Sequence, residues 1–307
     1  MGIPTDPRHW SVGLVGYGEV GRILAEDLRA QGLAVSAYDL KLGSAADTSI
    51  RAHAAQNGVA LAESHAALAS LADFIVSAVT ASQAVPVAEA CAPAVRGGAF
   101  FLDFNSASPG AKIRAAGHID ASGARYVEAA VMTAIPTYRM RVPLLLGGAS
   151  AAALQPLLLS LGFDATVASD KLGVASATKM CRSVMIKGLE AMVIESFTSA
   201  RAYGVEDQVL ASLAETFPGI DWEKQGGYFF KRAIQHGRRR AEEMLEAAAT
   251  VRGAGLEPWS AAGTAERQGW MAELANAGAF GATETATKGW RLDADRILVA
   301  LKARARG

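Results

Sequence analysis

The chain has 307 residues, enough to bury one large or two ordinary hydrophobic cores. Hydrophobic residues make up 51% and charged residues 20%, a balance that is typical of folded proteins and excludes a disordered chain. Lys plus Arg and Asp plus Glu both number 30, so no basic excess favours nucleic acid or an anionic membrane as a partner.

Cysteine and histidine usage bears on metals and on cellular location. Cys91 and Cys181 are too few for a disulfide framework, and the 5 histidines show no ligand spacing, so we expect no metal. The stretch MGIPTDPRHW lacks the apolar core of a signal peptide. No uncharged apolar run reaches the roughly 18 residues of a membrane-spanning helix. The sequence therefore predicts a cytoplasmic protein.

Short apolar runs alternate with helical patterns in the first half of the chain. The predicted buried strands are 11–15, 33–39, 73–79, 98–104, 124–131 and 142–148. Amphipathic segments such as VGRILAEDLRAQG lie between them. Strand–helix–strand order at this spacing predicts a parallel sheet with helices on both faces.

Helical patterns dominate after about Asp170, and no strand-like alternation occurs there. The predicted helices are 175–204, 209–217, 238–255 and a segment that starts at Asp293. The sequence thus predicts an α/β domain over residues 1–168 and an all-α domain over residues 169–307.

A glycine loop follows the first predicted strand, in the stretch VGLVGYGEVGRILAEDL. The spacing G-x-G-x-x-G after an apolar strand and before a helix is typical of a Rossmann-type dinucleotide site. The first glycine permits a tight turn, the second lets the backbone approach a pyrophosphate, and the third allows close helix packing. The predicted cofactor contacts in the loop are Gly16, Tyr17, Gly18, Glu19, Val20 and Gly21.

Asp39 closes the next strand, where a carboxylate meets the adenosine ribose hydroxyls in folds of this type. A carboxylate there repels a 2′-phosphate, so NAD is favoured over NADP, although Lys41 lies close by. Val79 and Thr80, after the third strand, complete the predicted cofactor site.

From the glycine loop onward the sequence resembles the β-hydroxyacid dehydrogenase family, which includes 3-hydroxyisobutyrate and 6-phosphogluconate dehydrogenases. The likeness covers nearly the whole chain and rests on four motifs in the right order, of which the glycine loop is the first. The resemblance implies the 6-phosphogluconate dehydrogenase-like fold, a Rossmann domain followed by an all-α domain. It also implies a homodimer, because the all-α domain makes the dimer contact in the family.

Two further motifs suggest the substrate site. DFNSASPG resembles the family's Asp-x-Ser-Thr-x-Ser-Pro loop, which implies that Asn105 and Ser106 contact the substrate. VEAAVMTA aligns on the family's Val-Asp-Ala-Pro-Val-Ser-Gly-Gly segment, so Met132 and Thr133 also fall at substrate positions. Their side chains, in place of the family's small residues, narrow the approach to the backbone amides.

The fourth motif, LGVASATKM, resembles the family's lead-in to its catalytic lysine and assigns that role to Lys179. Ser183 stands where the family has asparagine, and Arg239 or Arg240 stands near the family's cleft lysine. Of these two arginines we expect Arg240 to bind substrate, together with Ser183. The departures together indicate a divergent branch near phenylserine dehydrogenase.

Helical geometry leaves two interpretations of the segment around Lys179. At 100° per residue, the polar residues Lys179, Arg182, Ser183, Lys187 and Glu190 share a face about 140° wide. By itself the pattern favours a solvated helix surface. The glycine loop and the DFNSASPG loop supply a cofactor and a substrate for a lysine, and they favour a catalytic face.

Alcohol oxidation needs a group that accepts the hydroxyl proton, and a positioned base contributes about 10²–10⁴-fold to the rate. A free lysine, with a pKa of about 10.4, is protonated near neutrality. Burial and the cations Arg182 and Lys187 are expected to lower the pKa of Lys179. Alternatively, Arg182 or Lys187 binds a substrate carboxylate or a cofactor phosphate, and the sequence leaves this open.

The sequence therefore predicts an NAD-dependent dehydrogenase that oxidises a small 3-hydroxy acid or a related, including an aryl-substituted, alcohol. One alternative is an imine reductase of the same fold, although such enzymes typically carry Asp or Tyr where Lys179 stands. Another is a non-catalytic NAD-binding protein that senses redox state.

Overall fold

The computed structural model describes residues 2–44, 47–281 and 289–304. The chain forms two compact units, Met1–Met180 and Cys181–Gly307. The predicted boundary after residue 168 lies at the end of the last strand, whereas the units divide within the helix that follows. An α/β unit is therefore followed by a helical unit, which confirms the predicted fold class.

The first unit is built on one eight-stranded sheet. Its strands are β1 (Ser11–Val15), β2 (Ala34–Tyr38), β3 (Ala60–Leu61), β4 (Phe74–Ser77), β5 (Phe100–Asp103), β6 (Arg125–Val131), β7 (Pro143–Gly147) and β8 (Asp164–Ser169). Their order is β3-β2-β1-β4-β5-β6-β7-β8, and all neighbours are parallel except β6 and β7.

The structure confirms the six predicted strands and corrects two features of the sheet. A wholly parallel sheet was expected, but β6 and β7 are antiparallel, because residues 132–142 are too few for the crossover of about a dozen residues that a parallel pair needs. The strands β3 and β8 were not predicted. β3 has only two residues, and β8 is a half-exposed edge strand without an apolar run.

Helices cover both faces of this sheet. They are α1 (Glu19–Ala30), α2 (Asp47–Gln56), α3 (His65–Leu71), α4 (Ala84–Cys91), α5 (Pro109–Ala121), α6 (Ile135–Tyr138) and α7 (Ala151–Ser160). Leu24 of α1 and Leu154 of α7 belong to one buried cluster. Leu68 of α3 and Ile119 of α5 belong to another. The two-layered helix cover predicted from the strand–helix alternation is thus confirmed.

The helical unit contains the remaining described helices. They are α8 (Val174–Tyr203), which starts in the first unit, α9 (Glu206–Thr216), α10 (Trp222–Gly253), α11 (Trp259–Asn276) and α12 (Trp290–Arg304). Its core includes Phe197, Phe230 and Trp290. α11 was not predicted, and α10 begins earlier than predicted, at Trp222, where the Asp221 side chain caps the helix by accepting a hydrogen bond from Lys224 N–H. Of the helices in the described ranges, none has the length and apolarity that crossing a membrane requires.

Candidate functional site

The glycine loop connects β1 to α1 in a conformation that needs two of its glycines. Gly16 has φ +89°, and a Cβ there would lie 2.5 Å from the carbonyl oxygen of Ala78. A Cβ at Gly21 would clash with the carbonyl oxygen of Gly16. Both positions therefore require glycine for the turn and for the packing of α1 on the loop.

Gly18 has a different role from the other two glycines. A Cβ at Gly18 would meet nothing within 4 Å, so the loop surface is open there. Gly18 is also the N-cap of α1, and no side chain from the described residues caps the helix at this position. The first amides of α1 are thus available to oxygens of a pyrophosphate, which fits a dinucleotide at this loop.

Asp39 supports the glycine loop from the end of β2. Its Oδ2 accepts a hydrogen bond of 2.8 Å from the backbone N–H of Tyr17, and its Oδ1 accepts one of 2.9 Å from Lys41 N–H. A carboxylate has about four acceptor positions, so both oxygens keep capacity for ribose hydroxyls. Asp39 therefore shapes the loop and keeps acceptor positions for a ligand at the end of β2.

The Tyr17 side chain points into the core and anchors the loop. Its hydroxyl lies 2.9 Å from Nδ1 of His53, and Nε2 of His53 lies 2.9 Å from Oε1 of Glu26. Burial raises the pKa of Tyr17 to about 12. Arg139, a non-glycine residue at φ 54°, ion-pairs with Glu26. Tyr17 is thus left with its backbone alone for the predicted cofactor contact.

Asn105 ties the ends of β4 and β5 together. Its Oδ1 accepts a hydrogen bond of 2.7 Å from Val79 N–H, and its Nδ2 donates one of 2.9 Å to Ser77 Oγ. Asn105 is buried, Val79 is half-buried and Thr80 is exposed. The amide of Asn105 therefore holds in place the Val79–Thr80 segment that was predicted to contact the cofactor.

Lys179 and Ser106, two of the predicted site residues, are in direct contact. Lys179 Nζ donates a hydrogen bond of 2.6 Å to Ser106 Oγ, and both side chains are half-buried. The approach depends on Gly173, which has φ +94°, since a Cβ there would lie 3.1 Å from Cβ of Pro109. Small residues before Lys179 thus allow the start of α8 to pack on α5 next to the DFNSASPG loop.

A buried cluster lies below the DFNSASPG loop and centres on Asp103. Its carboxylate accepts hydrogen bonds from Asn105 N–H at 2.8 Å, from Lys112 Nζ at 2.9 Å and from the Tyr126 hydroxyl at 2.6 Å. Burial and the nearby Asp103 charge hold the pKa of Tyr126 well above its usual value. The cluster fixes the backbone from which Asn105 and Ser106 project.

Met132 and Thr133 follow β6 at the carboxyl edge of the parallel strands, the edge at which the glycine loop and the DFNSASPG loop begin. Met132 N–H donates a hydrogen bond of 3.0 Å to Pro143 O. The side chain of Met132 is half-buried and that of Thr133 is exposed. Ligands of open α/β sheets bind at this edge.

The two remaining predicted substrate residues, Ser183 and Arg240, lie in the helical unit and are engaged there. Ser183 Oγ accepts a hydrogen bond of 3.2 Å from Lys187 Nζ, which also forms a 2.7 Å ion pair with Glu243. Arg240 is buried and ion-pairs with Glu190.

Lys187 is buried as well, and desolvation lowers its pKa although the Glu243 carboxylate acts in the opposite direction. Both Ser183 and Arg240 are thus committed to contacts within their own unit, and a role in substrate binding stays a prediction for them.

Ser77, Asp103 and Glu128 are buried polar residues of β4, β5 and β6 for which no role was predicted from the sequence. Contacts such as Asp103–Tyr126 and Glu128–Gly173 join residues far apart in the chain, so spacing gives no indication of them. One signal was available, because Glu128 interrupts an otherwise apolar strand and a buried charge requires a partner.

Comparison with known families agrees with this architecture. The model of the NAD binding domain of 6-phosphogluconate dehydrogenase matches residues 11–166. A second model, a domain of unknown function designated DUF1932, matches residues 200–271. The first match covers half of the chain, so the protein belongs to the family of 6-phosphogluconate dehydrogenase-type NAD(P)-binding proteins.

Individual relatives extend the likeness along the chain. A conserved hypothetical protein from Sinorhizobium meliloti has a TM-score of 0.74 and 35% identity, with 93% of this chain and 94% of that one covered. The 3-hydroxyisobutyrate dehydrogenase of Mycobacterium tuberculosis, solved with L-serine, has a TM-score of 0.67 and 16% identity, with 86% and 94% covered. That likeness shows a 3-hydroxyacid dehydrogenase-like fold.

A curated relative from Methanothermus fervidus is described as an uncharacterized 28.5 kDa protein in the 7S RNA 5′ region. It is 30% identical over 162 residues, which cover 52% of this chain and 60% of the relative. The chain therefore spans about 60% of the length of that curated relative.

Proposed function

We propose that the protein is an NAD-dependent dehydrogenase that oxidises the hydroxyl group of a small 3-hydroxy acid or a related alcohol, including aryl-substituted ones. The observation that carries the proposal is the 2.6 Å contact between Lys179 Nζ and Ser106 Oγ, in the same unit as the glycine loop. The contact places Nζ at the DFNSASPG loop, and a general acid or base has to lie within hydrogen-bond reach of the proton that it transfers.

The roles of the chain's own residues follow from these contacts. NAD, when bound, supplies the acceptor for the hydride that leaves the carbinol carbon. Lys179, as the neutral amine, accepts the hydroxyl proton of the substrate at Nζ, and in the reverse direction it returns that proton to the carbonyl oxygen. Ser106 orients Nζ, and its own O–H remains able to donate to the substrate.

The preference for NAD rests on Asp39. Its carboxylate accepts two backbone N–H groups at the loop and remains an acceptor for ribose hydroxyls, whereas a 2′-phosphate next to it is repelled. NAD is therefore proposed as the cofactor in preference to NADP.

The substrate class rests on the residues at the carboxyl edge of the sheet. Met132 and Thr133 stand where the resemblance implies glycine-rich backbone, and their side chains alter the shape offered to the substrate. The Mycobacterium tuberculosis relative was solved with L-serine, itself a 3-hydroxy acid. We therefore propose 3-hydroxy acids as the substrate class, and aryl-substituted members of it are included in the assay.

The test is a turnover assay on a panel of 3-hydroxy acids and aryl-substituted analogues, read as NADH formation, with Lys179→Ala beside the wild type. The variant is expected to lose about 10²–10⁴-fold in kcat while it still binds NADH. Lys171→Ala, at an exposed lysine just before α8, serves as the matched control. Undiminished turnover by Lys179→Ala would contradict the proposed mechanism. If the wild type binds the nucleotide but turns over no substrate of the panel, the result would favour the redox sensor.

A homodimer and a cytoplasmic location stay predictions. The homodimer has one supporting observation, since Met185 and Met192 of α8 are 73% and 63% exposed in the single chain and give an apolar surface that a second copy can cover. Sedimentation velocity of the full chain measures the oligomeric state, and a monomer at assay concentration would contradict the homodimer.

A further inference from the structure

A buried carboxylate on the sheet holds the start of the helix that carries Lys179. Glu128 lies in β6 and is completely buried. Its Oε1 accepts hydrogen bonds from Gly173 N–H at 2.8 Å and from Ala175 N–H at 3.1 Å. The Gly173 amide directly precedes α8 and the Ala175 amide lies in its first turn, where backbone donors have no partner within the helix. A negative charge at this end of a helix is also favourable.

Glu128 lies next to Asp103, the residue that holds the loop of Ser106 and thus the acceptor side of the Lys179–Ser106 contact. In the pairing of β5 with β6, Asp103 and Glu128 are direct partners. Asp103 accepts the N–H of Asn105 and so holds the loop from which Ser106 projects. Two adjacent carboxylates of the sheet therefore anchor the two segments whose side chains meet at 2.6 Å.

The position of the Glu128 carboxylate is tightly limited. A Cβ at Gly147, its partner on β7, would clash with Oε1, so only glycine leaves room for the carboxylate there. Oε2 has no hydrogen-bond partner among the described residues. The bonds to Gly173 and Ala175 are thus the contacts through which Glu128 acts.

We infer that Glu128 is a positioning residue, which sets the first turn of α8 and thereby the distance from Lys179 Nζ to Ser106 Oγ. The expected effect on kcat rests on the proposed function, whereas the expected effect on the position of Lys179 does not. Glu128 has no role in proton transfer, since its carboxylate is buried and directed at backbone amides.

The kinetic test is Glu128→Gln, which keeps the shape of the side chain and removes the charge that favours the two amides. The variant is expected to lose up to about 10²-fold in kcat, because displacement of a catalytic group by about 1 Å costs that much. KM for NAD should stay at the wild-type value, and the pH profile of kcat should shift. A purely structural role would lower thermal stability and leave the pH profile in place.

Two further variants make the test specific. Gly147→Ala forces the carboxylate away without changing Glu128, and it should reduce kcat in the same way. The double variant should lose little more than either single one, since both remove the same contact. Glu89→Gln, at an exposed glutamate of α4, is the matched control and should behave as wild type.

A second readout separates this inference from the proposed function. The rate of Lys179 acetylation by an N-hydroxysuccinimide ester, measured by mass spectrometry against exposed Lys302, needs no turnover. Release of the first turn of α8 should make Lys179 react faster in Glu128→Gln and in Gly147→Ala. A wild type without turnover on any substrate would defeat the proposed function, while the acetylation rates would still decide the inference.

Wild-type kcat and a wild-type acetylation rate at Lys179 in a folded Glu128→Gln would overturn the inference. If Glu128→Gln does not fold, the acetylation rate in Gly147→Ala decides in the same way.

Discussion

The two units use their buried carboxylates differently. In the first unit the half-buried Asp39 and the buried Asp103 and Glu128 each accept backbone N–H groups of a loop or of a helix start, and Asp103 also pairs with buried Lys112. In the helical unit Glu190 and Glu243 instead pair with buried cations on a neighbouring helix. The first arrangement fixes the path of the backbone, whereas the second fixes which helix faces meet.

The difference indicates where each unit is sensitive. A carboxylate that holds backbone amides of the glycine loop or of α8 acts on residues proposed to bind cofactor and to transfer a proton. A carboxylate in an ion pair between helices acts mainly on stability, because its loss leaves an uncompensated buried charge. Substitutions in the two units should therefore separate effects on ligand binding from effects on unfolding.

The largest effect is expected at Glu190, which pairs with Arg240 and accepts a 3.2 Å hydrogen bond from Gln268. Glu190→Gln leaves the Arg240 charge buried without its partner and should lower the free energy of unfolding by about 3–5 kcal/mol. Urea unfolding measures the loss, and NADH affinity measured on the folded variant should not change.

A matched control lies on the same helix. Glu195 is exposed and pairs with Arg267, so Glu195→Gln should cost no more than about 1 kcal/mol. Equal losses of unfolding free energy at Glu190 and Glu195 would show that burial of the Glu190 ion pair does not affect stability. That result would contradict the proposed difference between the carboxylates of the two units.

A smaller effect, dependent on pH, is expected at Asp293 of α12. Burial raises the pKa of Asp293 from 3.8 to about 6, against the effect of Arg296. Because the folded-state pKa is the higher one, stability present below pH 3.8 is lost as the pH rises through 6. Asp293→Asn removes this loss. The free energy of unfolding of the variant relative to wild type should therefore be about 3 kcal/mol more favourable at pH 8 than at pH 3.5.

Unfolding free energies of wild type and Asp293→Asn across that pH range provide the check. If the unfolding free energies of the two proteins differ by the same amount at every pH, the raised pKa of Asp293 is contradicted.

The smallest effect is expected at Asp39, which supports a loop through hydrogen bonds from backbone N–H groups. Asp39→Asn keeps one oxygen for the amide of Tyr17 but loses acceptor capacity for ribose hydroxyls. NADH affinity should fall about tenfold, or about 1.4 kcal/mol, and the preference over NADPH should narrow. Fluorescence titration of both nucleotides measures this, with Asp164→Asn at an exposed position as control. A preserved NADH preference would exclude Asp39 as its source.

Features with a local cause were predictable from the sequence. The glycine loop combines an apolar strand, three spaced glycines and an amphipathic helix within one short stretch, and the structure gives each glycine a separate reason. Lys179 was singled out by a motif, and its contact with Ser106 is consistent with that choice. The six long apolar runs were also sufficient to locate their strands.

Features with a distant cause were not predictable. Asn105 was predicted as a substrate ligand, and that role stays a prediction. Its hydrogen bonds with Val79 and Ser77, at the end of another strand, had no signal in the sequence. Arg240 was predicted to bind substrate, which stays a prediction, and its ion pair with Glu190 on a different helix was likewise not indicated by the sequence. Such contacts depend on how elements pack, and a single sequence contains no periodicity or spacing that reports it.

The antiparallel strand pair has a consequence for folding. Val131 of β6 pairs with Leu144 of β7. These partners are closer together along the chain than the partners in any other strand pair that the structure describes. Loop closure costs more entropy as the loop lengthens, and local contacts favour rapid folding. Glu128 and Gly147 are partners in this same pair. The ladder that places Glu128 beneath the start of α8 is therefore the one that costs the least chain entropy to form.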